Sequence, residues 1–435
     1  MTRRLLGLIS CGILLLVLTA IALELQRRDD IDDFVAIALA QGAVYALASW
    51  LAWRLAASRW IIAVILGFAL ALRILVIMAP PYLSSDVYRY VWDGRVIAAG
   101  INPYRYIPTD PSLTPLRDEQ IFPRINRANY AQTIYPPAAE LLFYAVTRVS
   151  ESVVAMKAAM VVFEAIAIAL LLALLGTSGL PGSRIIAYAW HPLPLWEFAG
   201  SGHIDAALVA FVALALWGRV GRTRWLTGLA SAAGTLTKLY PAVLFPALWR
   251  RWDWQMPAIF AAAIVLTYLP FLTVGWRVFG FLTGYIGEEG FATGGGFYML
   301  NVLRAIAPFG DPPTILYLSV AAALLVGLAA YVAFSRTVAD NPIFGAALLA
   351  TAFMFLLSPH YPWYFAWLLV FVCFVPPASL MWLTVASFLL YLVPVGSQLV
   401  PGRHRLIVES VLYLPFVVLA AVDLWRRRLD TGDAG

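Results

Sequence analysis

Apolar runs of about 15 to 22 residues alternate with short polar breaks from one end of the chain to the other. Each is close to the length that crosses a bilayer as a helix. The pattern predicts spans at 5–24, 33–53, 60–80, 137–150, 156–176, 203–218, 256–274, 313–334, 342–357, 361–375, 378–396 and 405–425. Two further apolar segments are interrupted, 184–200 by Pro192 and Pro194 and 225–248 at Tyr240-Pro241. The arms of the second have about a dozen residues each, roughly 18–20 Å at helical rise, too short for a full crossing. Both segments read as re-entrant or unwound hairpins, with short tilted spans as the alternative. Broken backbone at membrane depth requires protein or a wet cavity to satisfy it. The expected fold is all-α, a polytopic transmembrane bundle of about 12–14 spans, forming one domain over 1–435.

Basic residues set the orientation. Arg3 and Arg4 at one end, and Arg426, Arg427 and Arg428 at the other, put both termini in the cytoplasm, so the number of crossings is even. "RLAASR" (54–59), "GRVGRTR" (218–224) and "WRRW" (249–252) then fall on the same side. The long connections 81–135 and 275–312 face outward, with shorter external turns at 201–205, 358–363 and 396–405. The first run reads as a retained helix. Its alternative is a signal peptide ending at Ala20-Ile21-Ala22.

Composition agrees: 62% of residues are hydrophobic and only 12% charged, beyond what a soluble domain carries. The net charge of +6 follows from basic clusters at span ends, so it does not indicate nucleic acid. Cys11 and Cys373 lie in apolar runs and belong to no paired motif.

Against that background "SSDVYRYVWDGRVIAAGINPY" (84–104) stands out. Ser84 or Ser85 serves as N-cap, and Gly100 with Asn102-Pro103 makes a stop, predicting an interfacial helix too short to span. Asp86 and Asp93, two turns apart, project from nearly one face, with Arg89 and Tyr90 between them. These acids read either as a site or as a solvated face pairing with Arg89 and Arg95. Tyr88, Trp92 and Tyr104 belong to an aromatic concentration suited to sugar rings or lipid headgroups. Arg73, inside a span, calls for a partner or a phosphate, or snorkels to the interface. Lys238, beside broken backbone, reads as an anion ligand or as an ion-pair partner of Glu164, Glu197 or Asp205. His203, Asp205 and His360 fall at external helix ends, in position for acid–base work, substrate contact or structural hydrogen bonds. The four histidines lack metal-ligand spacing, so no metal site is predicted. Glu288 and Glu289, ahead of "TGGGF", read as a solvated loop or a flap.

An apolar span followed by "SSDVYRY", "GINPY" and "YPPAAELLF" resembles the membrane glycosyltransferases of the GT-C superfamily. "HIDA", "TKLYP" and "SPHYPWY" look like glycosyltransferase family 87 (the DUF2029 group) and the related polyprenol-phosphomannose-dependent alpha-1,6-mannosyltransferases. The resemblance runs from about residue 60 to 370. It implies a GT-C type bundle whose large first extracytoplasmic loop, 81–135, is catalytic. The implied reaction is inverting transfer of a hexose, with mannose preferred, from a polyprenyl-phosphate donor to a lipid or glycan hydroxyl. It makes Asp86 the base. The paired acidic motif of many relatives is absent here, which leaves Asp93 only a possible second acid and divalent metal open; no other cofactor is implied. Lys238, Arg73, Arg89, Arg95 and Arg105 are then candidates for the donor phosphate, and Tyr88, Trp92 and Tyr104 for the sugar. Implied partners are membrane lipids, the lipid-linked donor and the acceptor. A bacterial inner (plasma) membrane location, with the site outward, goes with them. The competing class is a transporter or glycolipid flippase, for which broken helices are equally typical. No internal repeat equivalent to 60–135 recurs in the second half.

Overall fold

The computed structural model describes residues 3–432 apart from 57, 307–311, 336–337, 339, 376 and 394–401. All regular structure among these residues is helical. In chain order the first elements are α1 (Arg3–Arg27), α2 (Ile31–Trp53), α3 (Arg59–Ile77), the short α4 (Asp86–Ala98) and α5 (Pro137–Val149), then α6 (Val153–Thr177). Seven helices among the described residues are long and apolar enough to cross a membrane: α1, α2, α3, α6, Gln255–Glu288, Thr314–Phe334 and His404–Trp425. Pro342–Leu357, Pro362–Val372 and Ala378–Leu392 are shorter apolar helices. The predicted turn at 396–405 lies largely outside the described residues.

Ion pairs and hydrogen bonds show which helix ends lie together. Arg4 Nη1 donates to the Arg54 carbonyl at 2.9 Å, so α1 begins where α2 ends. Lys157 Nζ donates to the carbonyls of Val76 (3.2 Å) and Ala79 (2.7 Å), so α6 begins where α3 ends. That second contact corrects the predicted crossing at 137–150. The chain leaves α3 at the loop end of the bundle and enters α6 at the same end, so α5 does not cross. α5 packs instead along α4, so closely that a Cβ on Gly94 would sit 2.5 Å from the Phe143 carbonyl oxygen.

The interrupted segments run from one end of the bundle to the other. Arg184 donates to the Phe374 carbonyl (2.8 Å), and a Cβ on Gly182 would touch Ile62 in the first turn of α3; both lie at the end opposite the loop. His203, by contrast, lies 3.9 Å from Asp86 at the loop end. Residues 184–200 therefore traverse the bundle as short helical pieces ending in a wide π-type turn, Leu195–Gly200. The freed backbone is satisfied by side chains: Tyr45 donates to the Ala187 carbonyl (2.9 Å) and Arg73 to that of Ala189 (2.7 Å). Residues 224–248 leave the basic end, where Arg224 faces Asp253 (3.4 Å), and reach the loop end, where Lys238 meets Asp205 (2.7 Å). They return to Trp249, whose indole donates to the Asp253 carbonyl (2.7 Å). One predicted crossing is lost and three short passages between the two ends are gained, which keeps the even parity expected from the basic termini.

α4 starts as expected: of the two candidate serines, Ser84 Oγ accepts from the Asp86 amide (3.2 Å), while Ser85, at the N-cap position, makes no side-chain cap. Its far end stops before Gly100, at φ 75°.

Candidate active site

The N-terminus of α4 aims Asp86 into a polar chamber of about 430 Å³. Six places distant in sequence build its walls: 81–88, Asn126-Arg127, Ile134-Tyr135, Lys238, Tyr285 and 361–364. The Asp86 side chain is 18% exposed; Oδ1 accepts from Asn126 Nδ2 at 2.5 Å, and Oδ2 lies 3.9 Å from His203 Nδ1. His203 is fully buried, with Nε2 3.5 Å from Glu197 Oε2 and neither ring nitrogen in a hydrogen bond. Trp363 stacks on His203 (4.2 Å between centroids) and, through its other face, on Tyr361 (4.3 Å). Behind the imidazole, Glu197 Oε1 accepts from the Tyr391 hydroxyl at 2.7 Å. The carboxylate that opens into the chamber is thus backed by an imidazole and a second, buried carboxyl group.

A second, apolar chamber of about 240 Å³ shares Ile134, Tyr135, Lys238, Tyr285 and Tyr364 with the first and continues between Leu282, Ile286, Phe353 and Leu357. Lys238 stands in the common wall. Its ammonium pairs with Asp205 (2.7 Å), which also accepts from Tyr240 (2.9 Å), and lies 4.7 Å from the Tyr364 ring centroid. Of the three acids open to Lys238 as ion-pair partners the structure pairs it with Asp205, and the side chain still reaches both chambers.

The remaining candidates are placed elsewhere. Arg89 grips both oxygens of Asp93 (2.8 and 2.9 Å), and the pair is buried. Asp93 does share a face with Asp86, but two turns along α4 that face meets α5 and residues 131–133 instead of the chamber. Arg73 is buried against Glu164 (2.6 Å). Arg95 ties α4 to Asp118 (2.6 Å) and Glu151 (2.8 Å). Burial opposes the charge on Asp118, but the Ile121 amide, Arg95 and the Phe122 amide together hold its carboxyl below the usual carboxylate pKa. Arg105 lines a different cleft. Trp92 packs in the core against Phe122, and Tyr104 is buried with its hydroxyl on the Tyr135 carbonyl (2.7 Å). Of the three predicted sugar-facing rings only Tyr88 lines the chamber. His360 is buried beside Glu289 (3.2 Å) and Arg405, away from Asp86, although Glu289 lines the apolar chamber.

Residues not singled out from the sequence complete the walls. Arg127, at φ 54°, pairs with Glu288 (2.7 Å), and Tyr130 donates to the same carboxylate (2.9 Å). This clasp joins the loop 81–135 to 282–289, so Glu288 is not a merely solvated acid. Burial pushes the Tyr361 hydroxyl up to about 12, still further from ionisation at neutral pH than an ordinary phenol. Nothing in "INRANY" signals that Asn126 and Arg127 return to Asp86; the rings of "SPHYPWY" were visible as a motif but not as a stack. Among the described residues no three His, Cys, Asp or Glu groups converge in the manner of a metal site.

The model of glycosyltransferase family 87 matches residues 133–359, about half of the chain. The match takes in Glu197, His203, Asp205, Lys238 and the apolar chamber's 282–289 wall, and it begins after Asp86. No curated protein and no solved structure matches the chain.

Proposed function

The chain belongs to glycosyltransferase family 87, and from that premise we propose that it transfers a hexose, mannose in the first instance, from a polyprenyl-phosphate donor to an acceptor hydroxyl on the extracytoplasmic face. The observation that carries this is the pair of joined chambers: a polar one holding a carboxylate, an apolar one, and a lysine in their common wall. A lipid-linked sugar phosphate has that same sequence of parts. The prenyl chain suits the apolar chamber, the phosphate suits Lys238, and the sugar suits the ring-lined space beside Asp86. Basic residues gather at the opposite end of the bundle, at Arg54, Arg59, Arg219 and Arg224, which supports an outward-facing loop end in a plasma membrane.

In this reading Asp86 takes the proton of the acceptor hydroxyl as its oxygen attacks the anomeric carbon. The bond from that carbon to the bridging phosphate oxygen breaks, its electron pair leaves with polyprenyl phosphate, and configuration inverts. One carboxylate suffices because no glycosyl-enzyme forms. Lys238 has three donor protons, so it can keep Asp205 and still offer one to the phosphate. Tyr361, Trp363 and Tyr88 present ring faces and edges to the sugar.

The test is an assay of purified protein with radiolabelled polyprenyl-phosphate hexoses and a membrane lipid extract, with and without EDTA. A labelled lipid or glycan product is expected. No product from any lipid donor, together with substrate movement in proteoliposomes, would replace the enzyme with a transporter. For the donor site, Lys238→Met is best made with Asp205→Asn, so that no buried carboxylate is left alone. Losing a charge-assisted hydrogen bond of about 1.5–3 kcal/mol predicts a donor KM raised roughly 10- to 100-fold. An unchanged donor KM would remove Lys238 from phosphate binding.

A further inference from the structure

Arg105 lines a cleft of about 450 Å³ that shares no residue with the two chambers. One wall is 105–110 of the first external loop; the other is the end of the segment Leu269–Phe279. Both walls are pinned. Asn102 Nδ2 donates to the Phe271 carbonyl (2.9 Å) and to Thr273 Oγ1 (3.0 Å). On the other side the Phe281 amide donates to the Thr133 carbonyl (3.1 Å). Gly280, at φ 54°, allows that approach, since a Cβ there would lie 1.8 Å from the Thr133 oxygen. The cleft is therefore held open by the Asn102 side chain and a main-chain contact at Phe281, and not by the arginines that line it.

Arg105 and Arg277 both line it. Both are exposed, and among the described residues neither guanidinium has a hydrogen bond or ion pair within the chain. Asp110, the one carboxylate lining it, accepts from the Ser112 amide (2.9 Å) at the start of the turn Pro111–Leu116. Two free guanidiniums across a fixed gap suit a phosphate oxyanion. The segment that carries Arg277 also exposes large apolar groups: Trp276 is 88% exposed, Leu272 49% and Phe279 48%. Trp276 and Phe279 lie nearly parallel at 6.2 Å, an aromatic ledge of the kind that sits at headgroup depth.

We propose that this cleft binds the phosphate of an anionic membrane phospholipid, whose acyl chains lie along the exposed face of 269–279. The ledge favours a lipid headgroup over free phosphate, because a soluble anion gains nothing from it. The proposal requires the chain to be in a membrane but does not depend on Asp86 or on the donor.

The purified full chain in detergent, titrated with phosphatidylglycerol or phosphatidylcholine of the same acyl length and read by native mass spectrometry, tests it. The expected result is one phosphatidylglycerol retained in preference to phosphatidylcholine, by about tenfold. Arg105→Gln/Arg277→Gln should lose that preference at an unchanged melting temperature, since neither side chain holds the fold. Equal retention of the two lipids by the unaltered protein overturns the proposal without recourse to a variant. So does a preference that survives in the double variant. Displacement of phosphatidylglycerol by millimolar inorganic phosphate, with no dependence on acyl chains, shows a free-anion site and overturns the lipid assignment. Hexose transfer does not enter the readout, so the two readings fail separately.

Discussion

Asp86→Asn is expected to lower hexose transfer by about 10²- to 10⁴-fold in kcat, the range of a positioned general base, with donor binding and melting temperature nearly unchanged. The substitution is close to isosteric, and its amide oxygen can still accept from Asn126 Nδ2, which is 2.5 Å from Asp86 Oδ1. The other oxygen lies 3.9 Å from His203, beyond hydrogen-bond reach, so little folding energy rests on it. What disappears, on the proposed mechanism, is the group that receives the acceptor's proton. The effect should appear in kcat at saturating donor, because Asp86 is not placed to bind the phosphate. Full activity of the variant, with melting and donor affinity intact, would remove Asp86 as the base and send the search to Glu289 in the adjoining chamber.

The same loop shows how far the sequence could be read. The start of α4 at Asp86 and its stop before Gly100 were written in cap and turn residues, which act locally. Its chemistry was half legible. Spacing puts Asp86 and Asp93 on one face, but whether a face meets a cavity or another helix is a tertiary matter. α5 covers Asp93 and leaves Asp86 open. The rings divide in the same way: Trp92 and Tyr104 are core, while Tyr88 is wall, and nothing in their spacing tells them apart.

The crossing misassigned at 137–150 has a similar cause. An apolar run of 13 residues sits between the lengths of an interfacial and a spanning helix, and local pattern cannot choose. The choice rests on Lys157 hydrogen-bonding to the end of α3, a contact across about 80 residues of chain. Glu197 was not legible as a site residue because a carboxyl in an apolar, proline-broken run reads only as a partner for Lys238. Its place beside His203 follows from the π-type turn that brings the two together.

Arg73→Met is expected to destabilise the protein by about 3–5 kcal/mol, the usual result of stripping one partner from a buried ion pair. A steep fall in the unfolding midpoint of the purified protein would report it. Arg73 and Glu164 are both nearly inaccessible, joined through two contacts (Nη2 to Oε1, 2.6 Å; Nε to Oε2, 3.2 Å) between α3 and α6. With the arginine gone, Glu164 remains as a charge between apolar helices. Arg73→Met/Glu164→Leu removes both charges and should recover most of the loss, but not all. Arg73 Nη1 also donates to the Ala189 carbonyl at 2.7 Å, inside the broken passage 184–200. A backbone acceptor left bare there costs about 1–3 kcal/mol, so the stabilities should rank wild type, then double variant, then single variant. Donor affinity separates this from phosphate binding. With Arg73 acting only as a strut, the double variant keeps the donor KM of the wild type. A double variant as stable as the single one, or a stable one that has lost its donor affinity, would show that Arg73 does more than hold α3, α6 and the broken passage together.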